Sequence, residues 1–162
     1  MTGTLALARR VVTALTERGQ TVAVAESLTG GLLAAALVEV PGASAVFRGG
    51  VVAYATDLKT TLLGVPAALL GRHGTVHPEV AAAMAGGVRI RLNATFGLAT
   101  TGVAGPDPAD GQPVGMVFIA VSSPEVQAPQ GLRLNGDRAE IRQQTVVMSL
   151  KQLAVMLGDS DS

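Results

Sequence analysis

The chain has 162 residues, 48% of them hydrophobic and 15% charged, with a formal net charge of zero and no cysteine. That balance describes one compact domain with a sizeable core and excludes a disordered chain. It also excludes disulfides, thiolate metal sites and a cysteine nucleophile, and it offers no basic face to nucleic acid or an anionic membrane.

Mean hydropathy is +0.42, yet no run reaches the ~20 unbroken apolar residues that a membrane span requires. Glu39, Gly64 and Pro66 interrupt the best candidates. Arg9 and Arg10 lie inside the apolar N-terminal stretch, which lacks the order of a secretory signal. A cytoplasmic protein is expected.

In chain order, "LALARRVVTALTERG" places Leu5, Ala8, Val12 and Leu15 at helical spacing, with Gly19 as a stop. "TVAVA" reads as a short buried strand and "GGLLAAALVEV" as a helix ended by Pro41-Gly42. "VFRGGVVAYA" is a second strand, in which Gly49-Gly50 predicts a bulge or a close backbone approach. Thr56 or Asp57 is placed to cap a short helix ending at Gly64, and Pro66 to occupy the first position of the next. "HPEVAAAMAGGVRIRL" is a longer helix from Pro78, with enough small residues for close packing inside or between subunits. "TFGLATTG" is a third strand, "VAGPDPADGQP" a long loop, "VGMVFIAVSS" a fourth strand and "GLRLNG" a shorter fifth. "DRAEIRQQTVVMSLKQLAVML" closes the domain as a helix with Asp137 near its start, and residues 158–162 are expected to fray. There is no internal repeat and no low-complexity linker.

Alternating strands and helices predict α/β layers around a buried sheet. Too few residues join the last strands for a helical crossover, so at least one antiparallel pair is expected in a mixed sheet. Sites in such folds lie in the loops at strand ends. That singles out "AESLTGG", "AYATDLK", "ATTGVAGP" and "LNGDRAEIR".

Each stretch admits a structural and a chemical reading. Ser27 or Thr29 can cap the following helix while Gly30 and Gly31 let it pack closely. Alternatively, a hydroxyl at a strand-to-helix turn sits before backbone N–H groups that hold an oxyanion, and Ser27 is a nucleophile if a base takes its proton. The stretch lacks the G-x-S-x-G elbow and the S-x-x-K pattern.

His73 and His77 stand four apart, but Gly74 and Pro78 break a helix there and no third metal ligand is apparent nearby. Of the two lysines, Lys151 suits a solvated face, whereas Lys59 lies just beyond the second strand, close to Tyr54, the only tyrosine. Lys59 serves as a base only if burial or a neighbouring cation lowers its pKa toward about 7–8; otherwise it is a surface lysine. Tyr54 is placed to relay a proton or hold that lysine. Thr101 and Gly102 either turn the chain or wall a ligand pocket. Arg138 and Arg142 share a helix face, either as a phosphate clamp or paired with Asp137 and Glu140.

Taken together and in register, "AESLTGG", "PGAS..F.GGVVAYATDLK..LLGV", "HGTV", "TTGVAGPDPADGQPVGMVFIAV" and "GDRAEIR" resemble the CinA C-terminal domain family, over about Leu5 to Leu157. That family includes bacterial nicotinamide-nucleotide amidases. The resemblance implies a three-layer α/β/α sandwich with a mixed, mostly parallel sheet of about five strands, occupying 1–162 as a single domain. It implies a homo-oligomer, a dimer or higher, that binds a small nucleotide and needs no metal or organic cofactor. The implied reaction is hydrolysis of the carboxamide of nicotinamide mononucleotide to nicotinic acid mononucleotide and ammonia. By motif position Ser27 is the nucleophile, with Lys59 and Tyr54 as its catalytic partners.

Under this reading backbone N–H groups around Leu28 to Gly30 hold the oxyanion. Thr29, Gly30, Thr101 and Gly102 line the substrate, and Arg138 or Arg142 takes the 5′-phosphate. Glu26 braces the turn. The chain departs from the family pattern at Leu28, where cysteine is common, at Ala55-Thr56 in place of Ser-Asn, and in the "DPADGQP" loop, whose contacts are not carried over. The expected form is the short, stand-alone amidase. Two other readings stay open: a non-catalytic nucleotide-binding or regulatory module, and an amidase for a related pyridine or nucleotide amide.

Overall fold

The computed structural model describes residues 2–159. Its elements run α1 (Thr2–Arg18), β1 (Val22–Glu26), α2 (Leu32–Val38), a 3₁₀ turn (Ala43–Ala45), β2 (Phe47–Val52), α3 (Thr56–Leu63), α4 (Ala67–His73), α5 (Pro78–Arg91), β3 (Phe96–Gly102), β4 (Met116–Ser122), β5 (Gln127–Arg133) and α6 (Arg138–Met156). The five strands form one sheet in the order β2-β1-β3-β4-β5. β1 pairs in parallel with β2 and β3, while β4 is antiparallel to both β3 and β5. Four strands therefore point one way and only β4 opposes them. The ends of β1, β2, β3 and β5, each followed by one of the four loops singled out above, lie along one edge of the domain.

Alternation along β1 divides the core. Val22 and Val24 face one layer with Leu98 and Val121, against α1, α2 and α6. Ala23 and Ala25 face the other with Ala99 and Ala120, against α3, α4 and α5. Alanines on that second face let α5 come close. A Cβ on Gly97 of β3 would land on the Ala85 carbonyl oxygen, and one on Gly87 of α5 would land on the Leu63 carbonyl oxygen. The small residues of α5 thus pack inside the subunit, holding the end of α3 against the sheet.

The Gly49-Gly50 expectation is met twice. The register slips between Val22 and Ala23, pairing Phe47 and then Gly49. At Gly50 a Cβ would stand 2.7 Å from Val24 Cγ2.

Several local expectations are corrected. Neither Thr56 nor Asp57 caps α3; its N-cap is Ala55, with no side-chain cap. Pro66 is the N-cap of α4 rather than its first residue, and its carbonyl accepts from the amides of Leu69 and Leu70. The fifth strand is Gln127–Arg133, not 131–136. Pro129 pairs with Ala120 within it, which is tolerable because β5 is an edge strand with no further ladder to feed. At the expected frayed tail, the Asp159 carboxylate takes a 2.6 Å ion pair from Arg10, tying it to α1; residues 160–162 lie outside the described residues. Among the described residues no helix is long and apolar enough to cross a membrane.

Candidate active site

Ser27 is the first residue beyond β1. Its amide donates to the Thr100 carbonyl at 3.0 Å, with the Thr100 hydroxyl at 3.3 Å, so the neighbouring strand fixes the backbone that carries the nucleophile. The expected cap is corrected here. α2 has Gly31 at its N-cap position and no side-chain cap from that residue. Glu26, 1% exposed, instead accepts the amides of Leu33 at 2.8 Å and Ala34 at 3.0 Å. A carboxylate facing unsatisfied amides at a helix start is favoured by both hydrogen bonding and the helix dipole. Thr29 is fully buried and shares a 2.8 Å hydrogen bond with the Thr100 hydroxyl, so it braces the turn from below. Gly30 and Gly31 turn the chain at φ 57 and 107, conformations that a side chain would strain.

Lys59 lies one helical turn before Leu63, and both are buried. Its ammonium reaches back to the sheet end and donates to Ser27 Oγ at 3.1 Å, to the Ala53 carbonyl at 2.7 Å and to the Tyr54 carbonyl at 3.2 Å. Burial lowers its pKa to about 8, partly opposed by the negative charge of Asp110. A lysine near that value has an appreciable neutral fraction at physiological pH.

Tyr54 holds the lysine through its carbonyl; its phenol makes no hydrogen bond to Lys59 or Ser27. Its side chain is 60% exposed, and its hydroxyl accepts from Arg138 at 3.3 Å. Arg138 also donates to the Gly105 carbonyl at 2.7 Å. Arg142 donates to the carbonyls of Leu28 at 2.9 Å and Thr29 at 3.2 Å. Neither arginine pairs with Asp137 or Glu140, because those two form a reciprocal capping box at the start of α6. Arg142 therefore ties α6 to the serine turn, and Arg138 ties it to the loop after β3.

Thr101 is buried and donates to the Thr75 carbonyl at 2.7 Å. Gly102 is a glycine for packing: a Cβ would stand 2.8 Å from the Met116 carbonyl oxygen. Of the amides proposed for an oxyanion, that of Gly30 is already donated to the Ser27 carbonyl at 3.1 Å. The amides of Leu28 and Thr29 remain.

Sequence reasoning missed three participants: Thr100, which holds the Ser27 amide and the Thr29 hydroxyl, and the pair Thr75 and Asp110. The Asp110 carboxylate accepts from the amide of Thr75 at 2.9 Å and from its hydroxyl, pinning the long loop onto the α4–α5 turn. These bonds, the hydroxyl first, hold its pKa below the usual carboxylate value, with a smaller contribution from Lys59. The "ADG" step was a visible signal: Asp110 adopts φ 50, as an aspartate before glycine in a tight turn can.

The statement that no third metal ligand lies near His73 and His77 is also corrected, since Glu79 falls within 4.8 Å of both. The two rings, however, stack at 3.8 Å with planes 8° apart, so their in-plane lone pairs do not converge. His77 acts as the N-cap of α5, accepting the Glu79 amide. A groove of about 530 Å³ lined by Thr4, Leu134, Gln143, Gln144, Val147 and Met148 contains none of the residues of the serine–lysine pair.

Fold and site together define an α/β domain with a buried serine–lysine pair at the carboxyl ends of its parallel strands. The chain belongs to the CinA C-terminal domain family, whose model matches residues 4–157. It is 54% identical over 144 residues to a CinA-like protein of Frankia casuarinae, covering 89% of this chain and 33% of that protein. It is 50% identical over 137 residues to a putative competence-damage inducible protein of Desulforamulus reducens, covering 85% and 33%. The chain thus spans about a third of the length of these curated relatives. Among solved structures, a competence/damage inducible protein from Agrobacterium tumefaciens superposes with a TM-score of 0.92 at 39% identity, covering 96% of each chain. A CinA superfamily protein from Klebsiella pneumoniae gives 0.93 at 33%, covering 96% and 98%.

Proposed function

We propose that the domain is a nicotinamide-nucleotide amidase, converting nicotinamide mononucleotide to nicotinic acid mononucleotide and ammonia. One observation carries the reading: the buried Lys59 ammonium lies 3.1 Å from Ser27 Oγ, at a pKa lowered to about 8. A lysine held this way can accept the serine proton, which an exposed lysine at about 10.4 does poorly.

In this reading Ser27 Oγ attacks the carboxamide carbon as neutral Lys59 takes its proton. The amides of Leu28 and Thr29 receive the developing oxyanion, where one such donor contributes about 2.7–4 kcal/mol in other enzymes. Lys59 then passes the proton to the leaving nitrogen and ammonia departs. Water, deprotonated by the same amine, cleaves the ester and releases the carboxylate. Arg138, at the start of α6, is the better placed arginine for the 5′-phosphate, because it is exposed whereas Arg142 is half-buried against the serine turn. No step needs a metal or organic cofactor.

The test is ammonia release from nicotinamide mononucleotide by wild type, Ser27→Ala and Lys59→Ala. Activity in wild type with loss of more than about 10³-fold in Ser27→Ala is expected. If Ser27→Ala retains most of the activity, the nucleophile is elsewhere. Thermal stabilisation by the nucleotide with no ammonia from wild type points to a binding module. Turnover of a different pyridine amide in its place reassigns the substrate.

A further inference from the structure

The carboxylates of Glu26, at the end of β1, and Asp110, in the loop between β3 and β4, differ in what they have left to offer. Glu26 uses both oxygens on amides of α2 and is 1% exposed. Asp110 is exposed and uses only Oδ2, which takes both the amide and the hydroxyl of Thr75. Its Oδ1 accepts from no described residue.

Asp110 is nonetheless held firmly. Thr75 is fixed in turn by Thr101 of β3, next to the Thr100 that positions the Ser27 amide. The Asp110 side chain also lies against Gly74, where a Cβ would come within 3.3 Å of its own Cβ. Its backbone sits at φ 50, a conformation uncommon outside glycine that costs about 1 kcal/mol or more unless its surroundings compensate. A pinned carboxylate with one oxygen free of protein partners among the described residues is thus tied, through Thr75, to the end of β3 beside the strand that carries the nucleophile.

The cation on which this charge acts through space is Lys59. That partner disappears in the working enzyme, since the base must be neutral to accept a proton. A substrate with a positive charge beside the attacked carbon would replace it.

We propose that Asp110 is a specificity residue, whose free carboxylate oxygen selects a carboxamide borne on a cationic aromatic ring over the same amide on a neutral ring. This deepens the amidase reading and rests on it. A quaternised pyridinium places its charge two ring atoms from the carbon that bears the amide, within Coulombic reach of a carboxylate that senses the Ser27-bound lysine. The interaction is partly solvated, so its size is that of one screened charge pair.

The experiment compares nicotinamide mononucleotide with its 1,4-dihydro form, whose ring is uncharged and whose amide, ribose and phosphate are the same. Affinities are measured by calorimetry on Ser27→Ala and on Ser27→Ala with Asp110→Asn, alongside ammonia release by wild type. Asparagine keeps an acceptor for Thr75, removes the charge and replaces the free oxygen with an amide donor. Measured at about pH 10, above the Lys59 pKa of about 8, both proteins hold a neutral lysine, so the ratio of affinities isolates ring charge. The cation is expected to bind about fivefold less tightly when Asp110 becomes asparagine, with the neutral ligand changed less than about twofold. Thr75→Val, which loosens the loop and leaves the charge, should weaken both ligands alike. A cation preference that survives Asp110→Asn overturns the assignment while leaving the amidase reading intact. Absence of ammonia release by wild type overturns the amidase reading itself, and the specificity assignment with it.

Discussion

Lys59 Nζ and Ser27 Oγ lie 3.1 Å apart although 32 residues separate them in the chain. The contact exists because α3 packs against α5 with Lys59 and Leu63 on its buried face. Two backbone carbonyls, of Ala53 and Tyr54, fix its nitrogen at the serine. Desolvation then supplies the chemistry, since removing water penalises the charged amine more than the neutral one.

The first consequence is a pH profile. The working lysine is the neutral form, and its pKa is lowered to about 8 by burial. Ammonia release should rise about tenfold per unit below that value and level off above it. The Asp110 charge raises the Lys59 pKa. Asp110→Asn should therefore move the rising limb to lower pH, as read from initial rates between pH 6 and 10. A limb that stays in place or moves to higher pH contradicts this electrostatic picture.

The same lysine links stability to pH. Its folded pKa of about 8 lies below the unfolded value, so the unfolded chain binds more protons between the two. Stability should rise with pH across roughly 8 to 10.5, by at most about 1.4 kcal/mol per unit from this group. Urea unfolding at several pH values tests it. The slope in this window should be smaller in Lys59→Met, which has no proton to lose there.

Glu26→Gln should destabilise the domain by about 2–3 kcal/mol, because an amide replaces one acceptor oxygen with a donor that faces a backbone N–H. The affected pair is Leu33 and Ala34 at the start of α2. Chemical denaturation measures the loss, and a shift below about 0.5 kcal/mol would show that the amides find other acceptors.

Gly87→Ala should cost about 1–3 kcal/mol and also lower turnover. The added methyl would land on the Leu63 carbonyl oxygen, pushing α3 away from α5. Since α3 carries Lys59, a displacement there lengthens the contact with Ser27. Thermal unfolding and kcat should fall together; a stability loss with kcat unchanged would mean the helix yields elsewhere.

Much of this was legible in the linear chain because it depends on local patterning. Apolar periodicity marked the helices and strands. The "HPEV" start of α5 was legible because Pro78 suits a first helical turn, and the Gly49-Gly50 irregularity because only glycine accommodates both the slip and the Val24 contact. Ser27 could be shortlisted because a hydroxyl ends a buried strand. The local signals failed where a neighbour distant in sequence supplied the answer. Thr29 had the chemistry of a cap, but Glu26 took that role and Thr100 claimed the threonine hydroxyl. Pro129 disguised β5, because the edge position that excuses a proline is a property of the sheet.

By itself, then, the sequence determined the layered α/β architecture, the strand-end loops and the family to which they belong, since hydrophobic periodicity and turn chemistry act over a few residues. Only the tertiary structure decided that Lys59 is buried, that it meets Ser27, that the Tyr54 carbonyl and not its phenol holds it, and that the Asp110 charge acts on it. Those are matters of solvent exclusion and through-space charge, and both arise only when segments far apart in the chain are packed against one another.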